Sequence, residues 1–199
     1  MVFHMTDSTV ILGLVATLIS LIGFILYFKN IFAGKTMPHA FSWLIWAILT
    51  GIAFVAQVVE GAGPGAWAMG ITSVACFAIF ILSLLKGKRQ FVLFDWISLV
   101  AAFVALFLWW FTKEPTLSII LIALTDGVGF LPTFRKAFYY PYEDTAITFA
   151  FEGLKYFISL FALEAITIST WLYPASLVLM NWLFVTFLLI RRKQVKATK

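Results

Sequence analysis

Three side chains in this sequence are of types that could do chemistry where charge is expensive. Asp126, Glu152 and Lys155 each sit near the middle of a long apolar run. A charged group near the centre of a bilayer costs about 3 kcal/mol on insertion scales unless it is paired or faces water, so such residues mark pathways for ions or solutes. Thr148, Glu152, Lys155 and Ser159 follow at spacings of four, three and four, which puts them on one helical face. Two carboxylates then compete for one ammonium. One of them, Asp126 or Glu152, is expected to hold a proton at physiological pH and to couple proton movement to solute binding. Glu152 and Lys155 also fit a plainer description, an intrahelical pair that neutralises itself.

Neighbouring runs carry polar faces of their own. Ser42, Trp46, Thr50 and Gln57 are spaced four, four and seven apart, again one face, and Thr9, Gly13, Thr17 and Ser20 line another. Ser176 and Asn181 interrupt the last run. These faces are expected to converge on one cavity for a small polar solute. Other chemistry is poorly provided for. His4 and His39 have no Cys, His or carboxylate at ligand spacing, so no metal is expected. There is no nucleophile elbow, phosphate loop or zincin motif, so no enzyme and no cofactor are expected. Cys76 is alone, can form no disulfide within the chain, and reads as a small packing residue.

The elements that must position these groups are membrane spans. A chain of 199 residues that is 63% hydrophobic and 12% charged, with mean hydropathy +1.02, does not describe a soluble domain. Seven apolar runs recur, at residues 10–28, 40–59, 66–85, 92–111, 116–134, 146–166 and 172–190. Each is about long enough to cross a ~30 Å hydrocarbon core as a helix. The first run follows an N-terminus without the basic residues or cleavage site of a secretory signal, and reads as a retained span. The interior of the fourth run, SLVAAFVALFLWW, has no charged or amide side chain and reads as a lipid-facing connector.

Lys and Arg fix the orientation. With the N-terminus outside, twelve of them (Lys29, Lys35, Lys86, Lys88, Arg89, Arg135, Lys136, Arg191, Arg192, Lys193, Lys196 and Lys199) fall on the cytoplasmic side and one, Lys113, falls outside. The net charge of +5 is thus a topology and lipid-headgroup signal, not a nucleic-acid patch. Trp67, Trp96, Trp109, Trp110 and Trp171 near span ends agree with a cell-membrane protein.

The stretch 124–142, LTDGVGFLPTFRKAFYYPY, has a counterpart in the first run. A shift of 106 positions brings Gly129 onto Gly23, Phe130 onto Phe24, Phe134 onto Phe28, Arg135 onto Lys29 and Phe138 onto Phe32. It also brings Asp126 onto Ser20 and Glu152 onto Trp46. A shift of 104 brings Trp171 onto Trp67 and Pro174 onto Gly70. The expected fold is therefore all-α integral membrane, seven transmembrane helices as two parallel three-helix repeats (1–90 and 114–199) joined by a linker helix (91–113).

This 3+1+3 layout, with Pro132-Thr133 near the inner end of the fifth span, resembles the SWEET and PQ-loop transporter superfamily, as an outlying, prokaryote-like member. The first repeat has Leu26-Tyr27 at the position matching Pro132-Thr133. The resemblance implies sugar or other metabolite transport by alternating access, with Pro132 as a hinge. It implies proton coupling at Asp126, six residues before Pro132, and solute contacts at Trp43 or Trp46 and at Asn181. Span six has no Trp and span three no Asn, so a symmetric sugar clamp is not implied.

The reading is a transporter of a small polar metabolite, a sugar, amino acid or organic acid, with Trp43, Trp46, Thr50, Asp126, Glu152, Lys155, Ser159 and Asn181 as solute contacts. The charged trio favours a charged solute. The expected partners are that solute and the lipid bilayer, with no nucleic acid, and a homo-oligomer is compatible with the sequence. A ligand-sensing or sorting receptor on the same scaffold is the alternative. A retinal protein is a third reading, since Lys155 near carboxylates is what a Schiff base needs.

Overall fold

The computed structural model describes residues 7–34, 38, 40–86, 93–112, 114–139, 141–142 and 146–197. Among these the chain is all-helical, with no strand. The helices are α1 (Asp7–Phe32), α2 (Ala40–Val59), α3 (Trp67–Lys86), α4 (Leu93–Thr112), α5 (Pro115–Tyr139), α6 (Ala146–Phe161) and α7 (Ile168–Ala197), with a 3-10 turn at Gly63–Ala66 before α3. Sequences this apolar have one economical way to satisfy their backbone, the internal hydrogen bonds of a helix. Among the described residues four stretches are long and apolar enough to cross a membrane: Asp7–Phe32, Ser42–Val59, Gly63–Leu85 and Ile168–Val195. The apolar part of α5, Pro115–Gly127, is shorter.

Helix ends follow local chemistry. Pro115 opens α5, where its missing N–H removes nothing. Gly61 and Gly63 take positive φ (75° and 58°) to turn the chain after α2. The sixth run stops earlier than its hydropathy suggests, at Phe161 instead of 166, and the last begins at Ile168 instead of 172. The cause is polar. The Thr167 N–H donates to Thr170 Oγ1 (2.9 Å), half of a capping box that starts α7, and the Glu164 N–H donates to Ala62 O (3.1 Å) across the bundle. At its other end α7 runs on through the basic cluster to Ala197, past the expected 190. There Arg191 Nε donates to Phe138 O (2.9 Å) and Arg192 Nε to Pro141 O (2.8 Å), so the basic residues satisfy carbonyls at and just beyond the end of α5. α5 likewise runs past 134 to Tyr139. Pro132, the expected hinge, lies in this helix with its side chain outside the described residues.

α3 lies between α1 and α2, and α7 lies between α5 and α6. α1 packs on α6, α2 packs on α5 and α7, and α4 lies against α5 and α2. The largest core cluster crosses between these groups: Leu49, Ile52 and Ala53 of α2 meet Ile119 and Ile122 of α5, Tyr156 of α6 and Tyr173 of α7. Small residues allow the closest approaches. A Cβ on Gly13 would sit 2.6 Å from Pro64, one on Gly65 would sit 2.6 Å from Leu163, and one on Gly153 would run into the Trp182 indole. Leu14, Leu18, Ile22 and Ile25 form an exposed apolar face on α1, and Ile97, Val100, Phe103, Val104 and Phe107 do the same on α4, as a hydrocarbon surrounding requires.

Candidate functional site

Lys155 is the centre of the polar interior. It is 1% exposed, and its ammonium has three directions to give. It gives one to Glu152, at 2.8 Å from Oε1 and 2.7 Å from Oε2. The others go to Thr72 Oγ1 on α3 (3.1 Å) and Ser20 Oγ on α1 (3.4 Å). Thr72 is saturated too: it donates to Ala68 O (2.8 Å) and accepts from Lys155 and from the Tyr156 hydroxyl (3.2 Å). The rings of Phe24 and Tyr156 lie 4.9 and 4.8 Å from the ammonium. A buried lysine is thus fully partnered, which is what makes its burial tolerable. Glu152 stays one-third exposed (32%).

Asp126 on α5 is 6% exposed and lies beside the indole of Trp46 on α2. The expectation that Lys155 serves both carboxylates therefore divides: Glu152 takes the ion pair, and Asp126 has the neutral Trp46 indole beside it instead.

The two contacts occupy related places. Ser20 and Asp126 are equivalent under the 106-residue shift, as are Trp46 and Glu152. Ser20 meets Lys155 beside Glu152 where α1 packs on α6, and Asp126 meets Trp46 where α5 packs on α2.

The aromatic residues of α2 extend the site. Trp43 and Trp46 stand edge to face, 5.1 Å between centroids at 88°, and Tyr27 of α1 lies 4.9 Å from Trp43 at 52°. Trp46 is the most open of the three, 42% exposed.

Other expected contacts turn away. Thr50 Oγ1 donates to Trp46 O (2.6 Å), Ser159 Oγ to Tyr156 O (2.8 Å) and Asn181 Nδ2 to Leu177 O (2.7 Å), each within its own helix. Thr148 is exposed, so the inward face of α6 is Glu152, Lys155 and Ser159 without it. Gln57 is buried and reaches α7, where Nε2 donates to Thr170 O (2.7 Å). Thr72, Tyr156 and Tyr27 were not legible as site residues. Their signal was weak: a hydroxyl within the third span, and two phenols within the sixth and first. Among the described residues no group of three His, Cys, Asp or Glu side chains could hold a metal ion. No family model, no curated protein and no solved structure matches the chain.

Proposed function

We propose that this chain is a membrane transporter that moves a small polar solute by alternating access, built as two parallel three-helix repeats joined by α4, on a scaffold resembling the SWEET and PQ-loop superfamily. The observation that carries the reading is the paired arrangement of the buried polar contacts. Ser20 with Lys155, and Asp126 with Trp46, each tie a helix of one half to a helix of the other. The contact order agrees, because α3 lies between α1 and α2 as α7 lies between α5 and α6. α2 and α6 also begin 106 positions apart, at Ala40 and Ala146. Polar groups placed at the seam between two rocking halves can bind solute in the middle and be exposed to each side in turn. Under this reading the protein sits in the cell membrane with its N-terminus outside, and Asp126 and Glu152 are the groups that couple protons.

The test is uptake by proteoliposomes of labelled sugars, amino acids, organic acids and organic amines, with and without an imposed pH gradient. Saturable uptake of one class, reduced by Asp126→Asn, is expected. Saturable binding without flux would assign the scaffold to sensing or sorting instead.

A further inference from the structure

We infer that the solute held at this seam is an organic cation, an amine or quaternary ammonium head seated on the rings of Trp43 and Trp46 beside Asp126. The inference rests on the transporter reading for its biological role, but its chemistry comes from which groups are still free to bind.

Anions have little to bind. All three donor directions of Lys155 are taken by Glu152, Thr72 and Ser20. Thr50 and Ser159 give their one hydroxyl donor, and Asn181 one of its two, to a carbonyl of their own helix, so few side-chain donors are left for a sugar. What remains is aromatic and acidic. Lys155 and Glu152 pair with each other at 2.7 Å, which leaves Asp126, beside the neutral Trp46 indole, as the acidic group that Lys155 does not pair and that a bound cation would hold ionised.

That indole is also the most exposed ring of the group. An acidic group beside the ring adds to the attraction that its negative face has for a cation. The perpendicular Trp43, 5.1 Å away, adds a second face, and Tyr27 backs it at 4.9 Å. Ring faces at right angles next to a carboxylate attract a diffuse, weakly hydrated cation more than they attract a neutral molecule of the same shape. Trp46 and Asp126 belong to helices of opposite halves, so a cation placed here touches both sides of the seam.

The test compares choline with 3,3-dimethyl-1-butanol, its neutral isostere, by equilibrium binding to the full chain purified in an uncharged maltoside detergent. Choline should bind saturably and at least tenfold more tightly than the isostere. Asp126→Asn should weaken choline at least tenfold, and Trp46→Leu should do the same while Trp46→Phe keeps part of the affinity. Phosphocholine competition would identify lipid headgroups as a second source of the same cation; its absence would assign the site to free solute. Equal binding of choline and its isostere, no binding of choline, or choline binding indifferent to both Asp126→Asn and Trp46→Leu in folded protein would overturn the inference. Flux is scored separately: uptake of another solute without choline binding leaves the transporter reading standing, and choline binding without uptake of any solute removes transport but keeps the site.

Discussion

Gln57 of α2 completes a hydrogen bond that Pro174 of α7 takes away. A proline inside a helix has no N–H to give to the carbonyl four residues earlier. Here that carbonyl belongs to Thr170, and Gln57 Nε2 donates to it at 2.7 Å from the other half of the bundle. Gln57→Leu should cost about 1–2 kcal/mol by leaving the carbonyl unpaired in an apolar interior. Pro174→Ala restores the native donor, so the same Gln57 change should cost clearly less in that background. A thermal-unfolding double-mutant cycle measures the difference, and equal penalties in both backgrounds would reduce Gln57 to a packing residue.

Lys155→Met strands Glu152 without its cation and leaves Thr72 and Ser20 without the ammonium. Removing one member of a fully buried pair costs about 3–5 kcal/mol, and less here because Glu152 is one-third exposed, while removing both charges together is far less harmful. Lys155→Met should therefore unfold at a markedly lower temperature than the parent, and Glu152→Gln added to it should recover most of the loss. A single variant as stable as the parent would show that the pair is solvated in the protein.

Asp126→Asn keeps an oxygen that can accept the Trp46 indole N–H, so the fold should survive with little change in melting temperature. It cannot bind or release a proton. Uptake against an imposed pH gradient should lose its pH response in this variant, and a response equal to that of the parent would make Asp126 a structural tie between α5 and α2.

The topology is read most cleanly at exposed positions. Gly63 is a poor site for a cysteine, because its φ is +58° and a side chain there would meet Glu164. Ile166 is 78% exposed, and Ala33 at the other end of the bundle is also exposed. In a Cys76→Ala background, Ile166→Cys should react with an impermeant thiol reagent added outside, and Ala33→Cys only after the membrane is opened. Labelling of both from one side would refute the proposed crossing pattern.

Gly153→Ala should cost about 1–3 kcal/mol, because the new methyl runs into the Trp182 indole where α6 packs on α7. Trp182→Phe should relieve part of that penalty, and melting temperatures of the two single variants and the double variant check it.

Much of the helical layout was legible because period, length and charge are local properties. Ala40 starts a helix and so does Ala146, and Val59 ends one, where the apolar runs said they would. The end of α6 was not legible. Residues 162–166 are as apolar as the helix before them, and what stops the helix there is the Glu164 bond to Ala62 and the Thr167–Thr170 cap. The charged trio could be read from its cost in an apolar setting, yet partner choice could not. Lys155 pairs with Glu152 because the two lie three residues apart on one helix, whereas Asp126 finds Trp46 through the packing of α5 on α2. Thr50, Ser159 and Asn181 were identified by type, and type does not say that each side chain turns back to its own backbone.

The shortness of α6 has a consequence for the lipid around the protein. Sixteen residues rise about 24 Å, several ångström less than a ~30 Å hydrocarbon core, while α7 beside it has 30 residues. The two differ in reach, so under the proposed topology the outer leaflet next to α6 would dip to meet it, or chains of shorter length would gather there. The buried Ala162 and Leu163 and the Glu164 bond to Ala62 let the backbone run at that depth with its polar groups satisfied by protein. The protein is then an asymmetric inclusion, thin on one flank, and bilayers of short acyl chains should suit it better than bilayers of long ones.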